Sequence, residues 1–189
     1  MITKHEWWAT PVWEIQTEFD KYFNYKLENE IGTIRPDGDG TTFNIWDYQK
    51  PCIVELKEAI TKIIFDITSD YIPNNSNYNI GFSRGWVNRQ KTGEGMMLHD
   101  HGNTIVAVTY YIQAPENCGD LLLIDPRSSH TWDRQIENNI EGVRHKRIKP
   151  LEGKLVIFPA YLLHMVEPNK STNVRISLST NIMINHPQQ

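Results

Sequence analysis

Cysteine is scarce in this sequence of 189 residues, where only Cys52 and Cys118 occur. Two isolated cysteines cannot form a disulfide scaffold, so we expect a reducing compartment, the cytoplasm. Long apolar runs are also lacking, since LLLI at 121–124 and LVIF at 155–158 are far too short to cross a bilayer. The first residues show no charged region followed by an apolar one, and we therefore expect no secretory signal and no membrane partner.

A strong excess of either charge is missing too. The formal net charge is −4 at pH 7, which makes nucleic acid an unlikely partner. Hydrophobic residues make up 39% and charged residues 22%, as in ordinary globular proteins. This length suits one domain, and we expect a single unit over 1–189, with helical support in 1–75 and a catalytic core in 81–184. Nothing in the sequence indicates an oligomeric state.

Hydrophobic periodicity divides the chain into a helical part and a β-rich part. Apolar residues at intervals of three and four predict helices at 14–31 and at about 52–70. From Gly81 onward, short β-branched and aromatic segments alternate with Gly, Pro and Asn, which is typical of an antiparallel sheet protein. The predicted strands are 82–90, 104–113, 120–124, 154–159, 162–167 and 174–184. The sequence therefore predicts a mainly β fold preceded by helices.

The segment HDH at 99–101 is the first candidate site. On an extended chain His99 and His101 point to one face and Asp100 to the other, so the two imidazoles form a natural pair of metal ligands. A surface pair or a capping role is the alternative. Asp100 would replace His101 as a ligand only if a bulge turned it inward.

The last predicted strand supplies a second polar face, formed by Arg175, Ser177, Ser179 and Asn181. A hairpin about 169–171 is expected to place His164 beside Arg175 across a ladder. The Arg175 fork and the Ser177 hydroxyl would then bind a carboxylate. Three histidines that leave coordination positions open, next to an anion anchor, are typical of non-haem iron and oxygen chemistry.

Two stretches, HDHGNTIVAVTYYIQAPENCGDLLLIDPR and GKLVIFPAYLLHMVEPNKSTNVRISLSTN, resemble the Fe(II)/2-oxoglutarate-dependent oxygenase superfamily and its prolyl-hydroxylase-like group. The resemblance implies a double-stranded β-helix, a cupin-like jelly roll with N-terminal helices packed on one sheet. It also implies a dioxygenase that uses O2 and converts 2-oxoglutarate to succinate and CO2 while it hydroxylates a peptidyl or small-molecule substrate.

The same resemblance assigns roles to particular residues. It implies that His99, His101 and His164 bind Fe(II), and that Arg175 binds the distal carboxylate of 2-oxoglutarate. The other residues expected in the cosubstrate pocket are Ser177, Tyr111, Thr109 and Asn181. Only one of Tyr110 and Tyr111 can face the site.

Independently of the resemblance, Trp86 and Asn88 are candidate pocket walls or core residues, and Asn103 is a candidate donor near the site or a turn residue. Asp125 and Arg127 are expected to form a structural ion pair at a strand end. His130 and His145 are expected to be solvated or to belong to a substrate loop, not to bind metal.

One departure from the family pattern concerns position 101, where the usual acid is replaced by histidine. A three-histidine site has no anionic ligand, which raises two alternative functions. The first is a cupin-type metal dioxygenase or isomerase that does not use 2-oxoglutarate. The second is a non-catalytic jelly-roll binding module or a degenerate site. The loops expected to select the substrate, 31–45 and 127–149, contain no readable specificity signal.

Overall fold

The computed structural model describes residues 10–34, 44–68, 78–126 and 145–185. Within these residues the chain forms two α-helices, a 3-10 helix and nine strands. The helices are α1 Lys21–Ile34, the 3-10 helix Ile45–Asp47 and α2 Pro51–Thr68. The strands are β1 Trp13–Gln16, β2 Asn79–Gln90, β3 Met96–His99, β4 Val106–Gln113, β5 Leu121–Ile124, β6 His145–Ile148, β7 Lys154–Pro159, β8 His164–Val166 and β9 Arg175–Asn185.

The strands form two antiparallel sheets. The major sheet has five strands in the order β1-β7-β4-β9-β2, and the minor sheet has four in the order β3-β8-β5-β6. Strands that are neighbours in a sheet are mostly distant in sequence, as in a jelly roll. The predicted fold class, mainly β with two N-terminal helices, is confirmed. No helix in the described part of the chain is long and apolar enough to span a membrane.

Two apolar clusters lie on opposite faces of the major sheet. The first joins the helices to one face of the sheet, and its members include Leu27 and Leu56 of the helices and Tyr110 and Leu178 of the sheet. The second lies between the sheets and joins Phe158 and Tyr111 to β5 residues of the minor sheet. Because neighbouring strand residues point to opposite faces, the same strands serve both clusters. The helices thus support one face of the major sheet and leave the other for the site.

The prediction of a helix at 14–31 is wrong for its first residues, 14–20. Trp13–Gln16 is strand β1, which pairs with β7 in the register Trp13↔Ile157. Trp13 and Ile15, two residues apart on this strand, pack against the first apolar cluster. The position of Ile15 also matches the spacing of a helical stripe, but only by coincidence. The α-helix begins at Lys21, where the Asp20 carboxylate accepts a 2.8 Å hydrogen bond from Phe23 N.

Gly85 on β2 is a close-approach position. A Cβ added there would lie 2.3 Å from Trp46 Nε1 and 2.7 Å from Ile45 Cγ2. The Trp46 indole cannot move freely, because its Nε1 donates a 2.8 Å hydrogen bond to Thr180 Oγ1 in the interior. This backbone position therefore requires glycine for packing.

We expect Gly85→Ala to lower the free energy of unfolding by about 1–3 kcal/mol, as overpacking of an interior does. Urea unfolding followed by circular dichroism measures the change. Gly81→Ala on the same strand is the matched control, because its Cβ would meet Asn185 Nδ2 at an ordinary 3.5 Å. Equal stability of the two variants would contradict the packing argument.

Candidate active site

The three predicted histidines meet at the cavity between the sheets. His99 ends β3 and His164 begins β8, and the two are cross-strand partners. His101 follows β3 and its backbone N–H donates a 2.9 Å hydrogen bond to Ala160 O. The ligand nitrogens of the three rings lie within 4.8 Å of one another, and His101 Nε2 is 3.2 Å from His164 Nε2. This spacing brings three nitrogen donors to one point.

Backbone carbonyls orient two of the three rings. His99 Nδ1 lies 2.7 Å from Met97 O, and His164 Nδ1 lies 2.8 Å from Leu162 O. A carbonyl oxygen only accepts, so these contacts assign the proton of each neutral ring to Nδ1 and leave the Nε2 lone pair free. This is the tautomer that a metal ligand needs when Nε2 binds the ion.

Electrostatics favour neutral imidazoles at His101 and His164. Burial, helped by the neighbouring His99 and His101, lowers the pKa of His164 to about 4. Burial also lowers the pKa of His101, and His99 adds to the effect, while the Asn181 side chain and Asp100 oppose it. Neutral rings at pH 7 are donors for a cation, whereas protonated rings would repel it.

Asp100 lies outside the cluster. Its side chain is exposed, although the pairing of β3 with β8 is irregular between Met96 and His99. The irregularity therefore does not turn the carboxylate inward. Of the two candidates for the second ligand position, only His101 shares the cluster with His99 and His164.

Arg175 lies at the other end of the cavity and is 1% exposed. Its Nε donates to Gln90 Oε1 at 2.9 Å, Nη2 donates to the same oxygen, and Nη1 donates to Cys118 O at 3.0 Å and Gly119 O at 2.8 Å. Burial lowers the pKa of the guanidinium, but an arginine stays charged in proteins. Among the described residues no carboxylate forms an ion pair with it. A buried positive charge with only neutral partners favours an anion in the cavity.

Two expectations about this region need correction. His164 and Arg175 are not partners in one ladder, because β8 pairs with β3 and β5 while β9 belongs to the major sheet. The segment between them crosses from sheet to sheet, held by Asn169, whose side-chain amide donates to Gln90 O and Asn173 O. The Arg175 fork is also not free for a bidentate ligand, because Gln90 occupies its Nε–Nη2 edge.

The walls of the cavity come from alternate residues of facing strands. The cavity encloses about 560 Å³, open solvent at its mouth included. Burial raises the pKa of Tyr111, so its hydroxyl stays protonated and able to donate. Tyr110 faces the helices instead and donates to Asn24 Oδ1 at 2.6 Å. Besides the histidines and Arg175, the predicted residues that line the cavity are Thr109, Tyr111, Ser177, Trp86 and Asn88.

The remaining candidates within the described residues are not part of the cavity lining. Asn181 adjoins His101 and raises its pKa, yet its buried Oδ1 has no partner within normal hydrogen-bond geometry among the described residues. Asn103 is exposed, and His145 begins β6 outside the three-histidine cluster. Asp125 follows β5, whereas Arg127 and His130 lie outside the described residues.

Sequence reasoning missed several cavity residues, and two of them, Gln90 and Phe158, contact predicted site residues. Gln90 follows Trp86 and Asn88 at intervals of two on β2, and this alternation was the available signal. Phe158 packs its ring against His164, with 4.9 Å between centroids. No comparable motif indicates Phe158.

The family model described as "Putative 2OG-Fe(II) oxygenase" matches residues 84–181, which is more than half of the chain. The matched segment includes all three histidines of the cluster. The chain belongs to the 2OG-Fe(II) oxygenase family. The resemblance seen in the sequence is therefore confirmed. This oxygenase is an oxidoreductase of a family that uses Fe(II), 2-oxoglutarate and O2.

Solved structures share the fold of this oxygenase at low sequence identity. A Pseudomonas putida prolyl-4-hydroxylase has a TM-score of 0.64 at 13% identity, with 93% of this chain and 88% of that chain covered. The viral collagen prolyl hydroxylase of Paramecium Bursaria Chlorella virus-1 has 0.60 at 15%, covering 95% and 96%. HygX from Streptomyces hygroscopicus, with nickel and 2-oxoglutarate bound, has 0.64 at 10%, covering 92% and 82%. No curated protein matches the sequence.

The donor set fits the iron that the family name implies. Three imidazole nitrogens converge, and imidazole is a suitable ligand for iron. The two Nε2 atoms that lie 3.2 Å apart belong to His101 and His164, which approach from different segments. The cavity beyond them contains Arg175, a cation that suits a dicarboxylate cosubstrate.

Proposed function

We propose that this oxygenase hydroxylates an unactivated C–H bond of a peptidyl or small-molecule substrate, with Fe(II) held by His99, His101 and His164. One observation carries the proposal. A cavity has three imidazole nitrogens at one end and, at the other, the buried charge of Arg175 without a carboxylate partner among the described residues. That combination suits a metal and a chelating diacid bound side by side.

The cosubstrate would lie along the inner face of the major sheet. Arg175 on β9 would attract the distal carboxylate of 2-oxoglutarate, and the hydroxyls of Ser177 and Tyr111 would donate to it. Thr109 and Asn181, on the same faces of β4 and β9, would complete the pocket. When bound, Fe(II) and 2-oxoglutarate supply the oxidant, since O2 is reduced as 2-oxoglutarate loses CO2 and becomes succinate.

Aromatic rings shield the histidine cluster. Trp86 stacks on His101 with 5.8 Å between centroids and an angle of 20°, and Phe158 meets His164 edge-on. These rings keep bulk water from the imidazoles and restrict their rotation. A rigid, partly dry donor set is what oxygen chemistry requires to avoid side reactions.

An exposed apolar residue in the cavity wall supports an organic rather than a strongly charged substrate. Met96 is 39% exposed and lines the cavity together with His99. The structural neighbours include both prolyl hydroxylases and SnoK, a carbocyclase from nogalamycin biosynthesis. Both peptidyl and small-molecule substrates therefore remain within the proposal.

The direct test adds 2-oxoglutarate to the Fe(II)-loaded protein without oxygen. We expect a weak visible charge-transfer band, because the 2-oxo acid would chelate the iron. Succinate in place of 2-oxoglutarate is the control and should give no band, since it lacks the 2-oxo group. On admission of O2, slow succinate formation without substrate should follow.

Metal binding without the band would instead favour a three-histidine dioxygenase that does not use 2-oxoglutarate. A band without succinate formation would favour a non-catalytic module.

A further inference from the structure

Gln90 holds the guanidinium of Arg175 in an unusual way. Its Oε1 accepts hydrogen bonds from both Nε and Nη2, which is the edge that a bidentate carboxylate would use. The two Nη1 protons go to the carbonyls of Cys118 and Gly119. Four of the five N–H groups thus have neutral acceptors, and one N–H on Nη2 has no partner among the described residues.

The backbone fixes Gln90 in this place. Gln90 is the cross-strand partner of Arg175 in the pairing of β2 with β9, and it is 7% exposed. Its own carbonyl accepts from Asn169 Nδ2 at 2.9 Å, which anchors the end of β2 to the crossing segment. Both side chains line the cavity. The Gln90 side chain is therefore held in place at the Arg175 end of the cavity.

The choice of a neutral amide has an electrostatic consequence. A glutamate has the same size and would form an ion pair with Arg175, cancelling the charge that the cavity offers. The amide accepts the same two hydrogen bonds and leaves the positive charge without a carboxylate in hydrogen-bond contact among the described residues. It also has a donor group, Nε2, whereas a carboxylate has none.

We infer that Gln90 is a positioning and selectivity residue for the cosubstrate. It holds the Arg175 guanidinium so that one Nη2 proton stays unbonded, and it keeps the positive charge of Arg175 available to the distal carboxylate. This inference rests on the proposed function. The distal carboxylate is then held by the remaining Nη2 proton together with the hydroxyls of Ser177 and Tyr111, rather than by a two-pronged arginine fork.

The test is Gln90→Glu in the protein loaded with Mn(II), titrated calorimetrically with two 2-oxo acids. We expect the dissociation constant of 2-oxoglutarate to rise about 30-fold or more, the value of one or two lost charge-assisted hydrogen bonds. The constant for 2-oxopentanoate, which has the same chain length but no distal carboxylate, should stay within about threefold. Gln16→Glu on β1 is the control for net charge, because its side chain bonds Glu152 O far from the cavity.

Each alternative outcome has a distinct meaning. If the wild type binds both acids equally, the carboxylate anchor and with it the proposed function fail. If the wild type prefers 2-oxoglutarate and Gln90→Glu keeps that preference, the role of Gln90 alone is overturned. The unfolding temperature of Gln90→Glu without ligand should equal or exceed that of the wild type, and a large drop would instead mean a merely structural role.

A second variant distinguishes two roles of Gln90, which could orient Arg175 or compete with the cosubstrate for it. Gln90→Met keeps the length and removes the acceptor, so Arg175 loses its orientation and 2-oxoglutarate should bind more weakly, by about three- to tenfold. Tighter binding in this variant would overturn the inference, because it would show that Gln90 only occupies the edge that the carboxylate needs.

Discussion

Replacement of His101 by alanine is expected to lower the affinity of the protein for Co(II), a stable substitute for Fe(II), by at least about 100-fold. Loss of even an outer hydrogen-bond partner costs up to that much in metal sites, and His101 contributes a donor atom 3.2 Å from that of His164. Competition titration with a chromophoric chelator measures the constant. We expect His164→Ala to give a loss of the same size.

The matched control is the neighbouring Asp100→Ala, which should leave Co(II) affinity within about threefold because its carboxylate is exposed. His101→Asp installs the acid that is usual in the family and should retain metal binding. A protein that loses metal with His164→Ala and Asp100→Ala but keeps it with His101→Ala would refute the three-histidine assignment.

Replacement of Arg175 by methionine should raise the dissociation constant of 2-oxoglutarate by at least about 100-fold, because the cavity would lose its cation. Co(II) affinity should stay within about threefold, since the histidines are oriented by other groups. The lost bonds to Cys118 O and Gly119 O should also lower the free energy of unfolding, by about 2–4 kcal/mol. Calorimetry gives the two binding constants, and urea unfolding gives the free energy of unfolding.

The control for the charge change is Arg147→Met on β6, whose side chain is 45% exposed and pairs with Glu167. It should leave 2-oxoglutarate binding unaltered. If Arg175→Met remains folded, holds Co(II) and binds 2-oxoglutarate like the wild type, then a residue other than Arg175 binds the distal carboxylate. Arg175→Lys is expected to fail as well, because a point charge cannot keep the carbonyl and amide contacts of the planar group.

The alternation of apolar and polar residues made the main strands predictable. The segment 154–159 is β7 as expected, and β9 at Arg175–Asn185 is shifted by one residue from 174–184. Strand β9 alternates between polar and apolar residues, whereas β7 is buried on both faces and contains the continuous apolar run LVIF. Strands β3 and β6 were missed, because MMLH and HKRI are only four residues long and lack alternating burial.

The candidate site was predictable only as a set of residue types. Spacing of two brought His99 and His101 together, and the same rule placed Ser177 beside Arg175. The partners of the guanidinium could not be predicted, because Gln90 reaches it through the register of β2 with β9 and Cys118 and Gly119 contribute only backbone oxygens. Backbone acceptors leave no trace in residue identity.

The orientation of His99 and His164 has a consequence for how metal affinity depends on the rest of the chain. Each ring bonds to the carbonyl of the residue two positions before it, so the tautomer is encoded within a three-residue segment. Substitutions in distant strands can move these two ligands as rigid units but cannot change which nitrogen faces the ion. His101 lacks such a local carbonyl contact among the described residues and instead adjoins Asn181 from β9. Metal preference should therefore be easier to tune through position 181 than through the segments that present the other two rings.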